Sequence, residues 1–227
     1  MEINTALILC AGYGKRLNPI TLNKPKALIE INKITLLQNT LNLVTSLGVK
    51  DILINAFYLS EQIEKYVSSL NLNLKVIKDG DKILDTGGGI LNLINNSKQN
   101  DFLVFNPDTI WNESYISEIQ NMEKFYFRNN AKNILLVVEK SKGFDQRMNG
   151  DFFLESNILQ KLDNNNFIFT GCQILNKSIF ESYKIEKFSM NKIWEEMIKK
   201  KKLYGYKSEE KFTHLTDIEI YKKLTKI

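Results

Sequence analysis

Two hydrophobic rhythms run along this chain, and each marks a kind of element. Apolar runs at 5–10, 51–55, 74–77, 102–105 and 133–139 predict strands, several of them apolar enough to be covered on both faces. Between them the apolar positions recur at helical spacing. Leu36, Leu37, Leu41 and Val44 predict a helix that begins at Thr35 and stops at Gly48, with further helices at 61–70, 89–94 and 115–127. Strand and helix alternate through the first two-thirds, which predicts an α/β fold: a Rossmann-like, mixed but mostly parallel sheet flanked by helices. After Glu139 the texture changes. Segments 151–154 and 158–162 flank Ser156-Asn157 as a hairpin, 167–175 is another strand, and Phe180 with 190–200 forms a helical cap. No Pro-, Gly- or Ser-rich linker and no internal repeat interrupts the chain. Residues 1–227 are therefore expected to be one domain, with a core at 1–140 and a second part with C-terminal helices at 141–227.

Composition changes this picture little. The 227 residues are 43% hydrophobic and 25% charged, ordinary for a folded globular chain. No apolar run approaches the roughly 18 residues of a membrane span. The N-terminus has neither a basic n-region nor a small-residue cleavage site, so a cytoplasmic protein with no membrane contact is expected. Cys10 and Cys172 fall on predicted core strands and read as buried reduced thiols, and no Cys/His cluster has zinc spacing. The net charge of +5 is densest in the four lysines at 199–202, which end a predicted helix, complement its dipole and stay solvated. Without aromatic–basic alternation beside them, no nucleic-acid partner is expected.

The densest chemistry lies where the first strand ends. Leu7-Ile8-Leu9-Cys10 runs into Ala11-Gly12-Tyr13-Gly14, and the cations Lys15 and Arg16 follow at once. Gly12 and Gly14 favour positive φ and close approach of main-chain N–H groups to a polyanion, with Arg16 adding fixed charge. Lys24-Pro25-Lys26 then brings two more cations. In an open α/β sheet the Gly12 loop, the Gly87-Gly88-Gly89 turn and Asp108 would all lie at the carboxyl ends of strands, where ligands bind. The spacing is neither the dinucleotide GxGxxG nor the Walker GxxxxGK[ST], which argues against a dehydrogenase and a P-loop NTPase.

These segments resemble the sugar-1-phosphate nucleotidyltransferases, a GT-A-like family whose signature is L-A-A-G-x-G-x-R followed by P-K-P-L. Here Cys10 replaces the first alanine and Ala27 the second proline. Further landmarks resemble the branch of N-acetylmuramate-1-phosphate uridylyltransferase: Asp85-Thr86-Gly87-Gly88-Gly89-Ile90, Asn106-Pro107-Asp108-Thr109-Ile110-Trp111, Asn149-Gly150-Asp151-Phe152 and Phe169-Thr170-Gly171. The resemblance implies a cytoplasmic enzyme of nucleotide-sugar synthesis for the cell wall. It would move a uridylyl group from UTP to a sugar 1-phosphate, as a monomer or homodimer.

Residue roles follow from the same resemblance. Ala11, Gly12, Tyr13 and Gly14 would hold the nucleotide, with Arg16 on the β/γ-phosphates and Lys26 on the reacting phosphates. Thr86, Gly87 and Gly88 would present bare backbone to a pyrimidine edge. Asn106, Gly150, Asp151 and Gly171 would contact the sugar. Asp108 would ligate Mg²⁺, with Mn²⁺ as an alternative. The family's second metal carboxylate, in a W-x-D-x-G-T element, falls on His214, an imidazole that suits softer metals better. Plainer roles stand beside these: a surface lysine for Lys26, a helix cap for Asp108, an exposed hairpin acid for Asp151 and a structural histidine for His214. Other readings of the whole chain are a guanylyl- or cytidylyltransferase and a silent nucleotide-sugar-binding regulator.

Overall fold

The run after Thr5 forms β1 (Thr5–Leu9), whose side chains are packed on both faces, in a computed structural model that describes residues 1–226. Ala6 and Ile8 join one apolar cluster and Leu7 another, so the strand's period of two feeds cores on opposite sides of a sheet. A small hairpin follows, β2 (Glu30–Ile31) and β3 (Ile34–Thr35), and then α1 (Leu36–Ser46). Thr35 caps α1 by accepting from Gln38 N–H, and Gly48, at φ 77°, ends it in the left-handed conformation.

The alternation continues through β4 (Asp51–Ala56), α2 (Ser60–Ser68), β5 (Leu74–Lys78), α3 (Asp85–Ile94), β6 (Asp101–Phe105), α4 (Tyr115–Arg128) and β7 (Asn133–Glu139). The second part adds β8 (Phe153–Glu155), β9 (Ile158–Gln160), β10 (Phe167–Asn176), α5 (Met190–Lys199), β11 (Tyr204–Ser208) and α6 (Ile218–Thr225). Ser156 and Asn157, at φ 49° and 62°, make the two-residue turn between β8 and β9.

The sheet order is β5-β4-β1-β6-β10-β7-β11-β9-β8. Among the described residues only β10 and β9 run against the other strands, so the sheet is mixed and mostly parallel. Helices α1 and α4 cover one face and α3 and α5 the other. No helix among the described residues is long and apolar enough to cross a membrane.

Several expected boundaries move. The helix predicted at 89–94 begins at Asp85, so Gly87, Gly88 and Gly89 lie inside α3 and make no turn before it. The strand predicted from 151 starts at Phe153. Sequence patterning missed β11, because Tyr204, Tyr206 and Lys207 are half-buried at the flank of the sheet and carry little apolar signal. The second part also does not simply follow the first: its longest strand, β10, lies between β6 and β7.

Candidate active site

Strands β1, β4 and β6 end at one level, because Ile8 pairs with Phe105 and Leu9 with Asn55. The segments leaving those ends enclose a cleft of about 220 Å³ lined by Cys10, Ala11, Gly12, Lys26, Asn55, Asp85, Thr86, Asn106 and Asp108. Such a crevice at the carboxyl ends of parallel strands is where open α/β sheets take ligands.

One wall is the loop after β1. Among the described residues the N–H groups of Ala11, Gly12, Tyr13 and Gly14 donate to no protein acceptor. Four successive unsatisfied donors form a surface that favours an anion. The two glycines serve differently from expectation. Gly14 does adopt positive φ, at 64°, and an added Cβ would lie 2.9 Å from Thr21 Cγ2. Gly12 lies outside the positive-φ region, and its surroundings are open, with nothing within 4 Å of a Cβ. Arg16 follows on a short 3-10 turn, exposed and outside the cleft lining. Tyr13 packs against Phe57 and Tyr58 with Lys15 Nζ 5.4 Å from its ring centre.

Across the cleft three charged or titratable groups converge. Lys26 Nζ donates to Asp108 Oδ2 at 2.6 Å, and His214 Nε2 lies 3.1 Å from the same oxygen. His214 arrives there because its segment zips onto the one after β6: Ile110 N–H donates to Thr213 O and Leu215 N–H to Asp108 O. Burial would raise the Asp108 carboxyl, but Lys26 and His214 outweigh it and hold it well below the usual range. The other oxygen, Oδ1, is buried with no partner. An ionised carboxylate with a spare buried oxygen fits a hard divalent cation, and His214 Nε2 is the adjoining donor. Among the described residues no third His, Cys, Asp or Glu completes a cluster, so substrate oxygens and water would supply the other ligands.

The α3 glycines do not present bare backbone to a ligand. Gly87 and Gly88 both donate their N–H groups to Phe188 O, at 2.9 and 3.1 Å. A Cβ on Gly88 would lie 2.0 Å from Glu186 O, and one on Gly87 2.3 Å from the Phe188 ring. Their smallness lets segment 186–188 lie against the helix, so the base-reading role expected of them is withdrawn. Thr86 does line the cleft, and its Oγ1 accepts from Met190 N–H at 2.9 Å.

Asn55, which sequence reasoning passed over, forms the cleft floor. Its Oδ1 accepts from Cys10 N–H at 2.8 Å and its Nδ2 donates to Asp79 Oδ1 at 3.1 Å. Asp79 in turn accepts from Leu84 N–H, tying the floor to the start of α3, and burial pushes its carboxyl up. A lone amide closing an otherwise apolar strand was the available signal. Cys10 and Cys172 are free and buried, with both thiols pushed up by burial.

Of the residues expected at the sugar, Asn106 belongs to the cleft lining, while Gly150, Asp151 and Gly171 lie outside it. The Asn106 N–H donates to Gly171 O at 2.8 Å. Gly171, at φ 89°, sits where the β10–β7 register shifts, and its Cβ position would press Asn106 at 3.1 Å. Asp151 is exposed, with Oδ2 accepting from Phe169 N–H; burial of its carboxyl by neighbouring protein still raises it, against the pull of that N–H, Lys161 and His214. Gly150 is a close-approach glycine, since a Cβ there would lie 2.2 Å from Asn165 O.

Comparison with known proteins agrees with this geometry. The family profile of the MobA-like NTP transferase domain matches residues 6–132. The chain is 22% identical over 221 residues to N-acetylmuramate alpha-1-phosphate uridylyltransferase of Caulobacter vibrioides, covering 93% of this chain and 91% of that protein. It is 28% identical over 206 residues to D-glycero-alpha-D-manno-heptose 1-phosphate guanylyltransferase of Campylobacter jejuni, covering 87% of each. The inositol-1-phosphate CTP transferase from T. maritima shares the fold, with a TM-score of 0.81 at 16% identity over 100% of this chain and 96% of that one.

Proposed function

This chain belongs to the MobA-like NTP transferase family, and on that premise we propose that it transfers a uridylyl group from UTP to a sugar 1-phosphate. N-acetylmuramate 1-phosphate is the favoured acceptor, and the products are the UDP-sugar and pyrophosphate. The observation that carries the reading is the run of four unsatisfied N–H groups at Ala11, Gly12, Tyr13 and Gly14, set beside the Lys26–Asp108 pair. Near end-to-end likeness to the Caulobacter uridylyltransferase supports the choice of base and sugar.

The reaction needs no covalent intermediate. An oxygen of the sugar phosphate, already anionic at neutral pH, attacks the α-phosphorus in line. The bond from that phosphorus to the α–β bridging oxygen breaks, and pyrophosphate carries the charge away. The protein's work is to align two polyanions and neutralise the charge that builds. The 11–14 loop holds the triphosphate through its N–H groups, and Arg16, exposed beside it, clamps the β/γ end. Lys26 shares its charge between Asp108 and the reacting phosphates. Asp108 and His214 would hold Mg²⁺, or Mn²⁺ in its place, which supplies further neutralisation when bound. Thr86 faces the base, while Asn106 and Asp151 face the sugar.

The test is pyrophosphate release from UTP, GTP, CTP and dTTP against a set of sugar 1-phosphates. UTP with N-acetylmuramate 1-phosphate should give the highest kcat/KM. Preference for GTP or CTP would move the chain to a sibling activity, for which the likeness to the Campylobacter guanylyltransferase is the specific motive. Binding of UDP-sugar without pyrophosphate release would make it a regulator.

A further inference from the structure

His214 reaches Asp108 because the segment carrying it is held on both sides. One side pairs with the residues after β6, as described. The other meets the loop after β7: Phe144 N–H donates to Phe212 O at 2.7 Å and Phe212 N–H to Lys142 O at 2.9 Å. Beyond Phe212 that loop makes no further main-chain bond to the segment among the described residues. A single side chain takes over there. Arg147 grips Asp145 with Nε and Nη2 at 2.8 Å each, Asp217 with Nη2 at 2.9 Å and Glu219 with Nη1 at 2.6 Å. Asp217 meanwhile caps α6 by accepting from the N–H groups of Glu219 and Ile220. Asp217, at the Thr position of the family's W-x-D-x-G-T element, thus has a structural role in this chain.

The two ends of this clamp lead to the site. Thr216 precedes Asp217, and its Oγ1 lies 3.2 Å from His214 Nδ1. Asp151 is four residues beyond Arg147 on the clamped loop. We infer that Arg147 is a positioning residue for the acceptor half of the reaction, holding His214 and Asp151 in register with Asp108 without touching substrate. This rests on the nucleotidyl-transfer reading and adds a residue to it.

An isolated surface ion pair would not carry that role, since such pairs contribute little. This one is a two-point fork on Asp145, whose side chain is 3% exposed, and it reaches two more carboxylates. Without the guanidinium the buried Asp145 carboxylate loses its counter-charge and keeps the N–H of residue 147, at 3.1 Å, and the loop and α6 lose their common anchor. A lysine supplies the charge but not the fork.

The test uses Arg147→Met, Arg147→Lys and, as a distant control, Lys78→Met, which breaks only the Lys78–Glu64 pair. His214 is the chain's single histidine, so its imidazole resonances report the ring's surroundings without assignment. They should shift or broaden in Arg147→Met, recover partly in Arg147→Lys and stay fixed in Lys78→Met. In kinetics, kcat/KM for the sugar phosphate should fall about 10- to 100-fold in Arg147→Met, as for other outer-shell partners of a site. The loss should appear as a raised KM for the sugar phosphate while KM for UTP stays within about twofold; a general loss of folded protein would lower kcat and move neither KM. In a His214→Ala background the Arg147→Met loss should shrink, because the two act through one another. Unmoved imidazole resonances in folded Arg147→Met, or the same kinetic loss with and without His214, overturn the inference. Should Arg147→Met fail to fold, Arg147→Gln carries the same readouts. A wild-type protein with no transferase activity would sink the functional reading, while the imidazole spectra would still decide the role of Arg147.

Discussion

Lys26→Met should injure the protein twice, in stability and in turnover. The pair with Asp108 is 2.6 Å long, and its side chains are only 17% and 20% exposed, so solvent screens it weakly. After the substitution the carboxylate keeps His214 alone, at 3.1 Å, with Oδ1 already unpartnered. Losing a hydrogen bond to a charged group costs about 1.5–3 kcal/mol. Breaking a fully enclosed ion pair costs about 3–5 kcal/mol, too much for a carboxylate that borders a cleft. About 2 kcal/mol is the expected loss at pH 7, or roughly 4–8 °C in Tm for a chain of this length. The pH dependence has a definite sign. Lys26 and His214 depress the folded-state Asp108 carboxyl against the effect of burial. Its contribution is therefore complete above the unfolded value of about 3.9 and disappears as pH falls through the folded one. The deficit of Lys26→Met should thus be full at pH 7 and at pH 5 and shrink below about pH 4. Urea unfolding followed through the buried Trp111 and Trp194 measures it. Pyrophosphate release should fall at least about a hundredfold in the same variant. Equal stability at pH 7, or a deficit that persists undiminished in acid, would show that Lys26 does not compensate Asp108.

Five other substitutions, at four positions, probe the rest of the site. Asp108→Asn should keep native circular dichroism while pyrophosphate release drops by more than roughly a hundredfold at saturating Mg²⁺; near-normal turnover would remove Asp108 from the chemistry. If His214 ligates metal, His214→Asp should move the activity optimum from Mn²⁺ or Co²⁺ toward Mg²⁺, and His214→Ala should raise the metal requirement; one metal profile shared by wild type and both variants would refute ligation. Gly88→Ala places a Cβ 2.0 Å from Glu186 O and should lower stability by about 1–3 kcal/mol, whereas Gly12→Ala has open space and should stay within about 0.5 kcal/mol. Thermal melts of the two alanine variants decide it.

Where the chemistry is local, the sequence was legible. The all-apolar 102–105 run became β6, with Asp108 just beyond it, and the glycine-rich loop after β1 carries the free N–H groups expected of it. His214 was found through the family resemblance, where it falls on the second metal carboxylate, and the structure sets it against Asp108. The misreadings have a common cause, which is contact between residues far apart in the chain. Gly87 and Gly88 looked like an open turn because nothing near them signals that Phe188 will take their N–H groups. Asn55 and Arg147 were passed over for the same reason: their partners, Asp79 for one and Asp217 and Glu219 for the other, lie 24, 70 and 72 residues away. Polar residues of this kind carry no periodic signal: Asn55 showed only as a lone amide in an apolar strand, and the folded chain supplies the partners of both.

The position of β10 between β6 and β7 bears on how this protein can be cut, tagged or fused. A break between the nucleotide half and the remainder would strip a central strand from the sheet. It would leave two long, apolar strand edges facing water, and such edges invite aggregation. The halves are therefore not exchangeable modules, and a chimera that swaps the acceptor half must carry β10 and both neighbouring edges together. The β8–β9 hairpin tip offers the opposite case. Ser156 and Asn157 are exposed, and Asn157 O accepts from Gly205 N–H at 2.9 Å, so a reporter or affinity segment inserted before Ser156, with that bond kept, should leave the sheet and the cleft undisturbed.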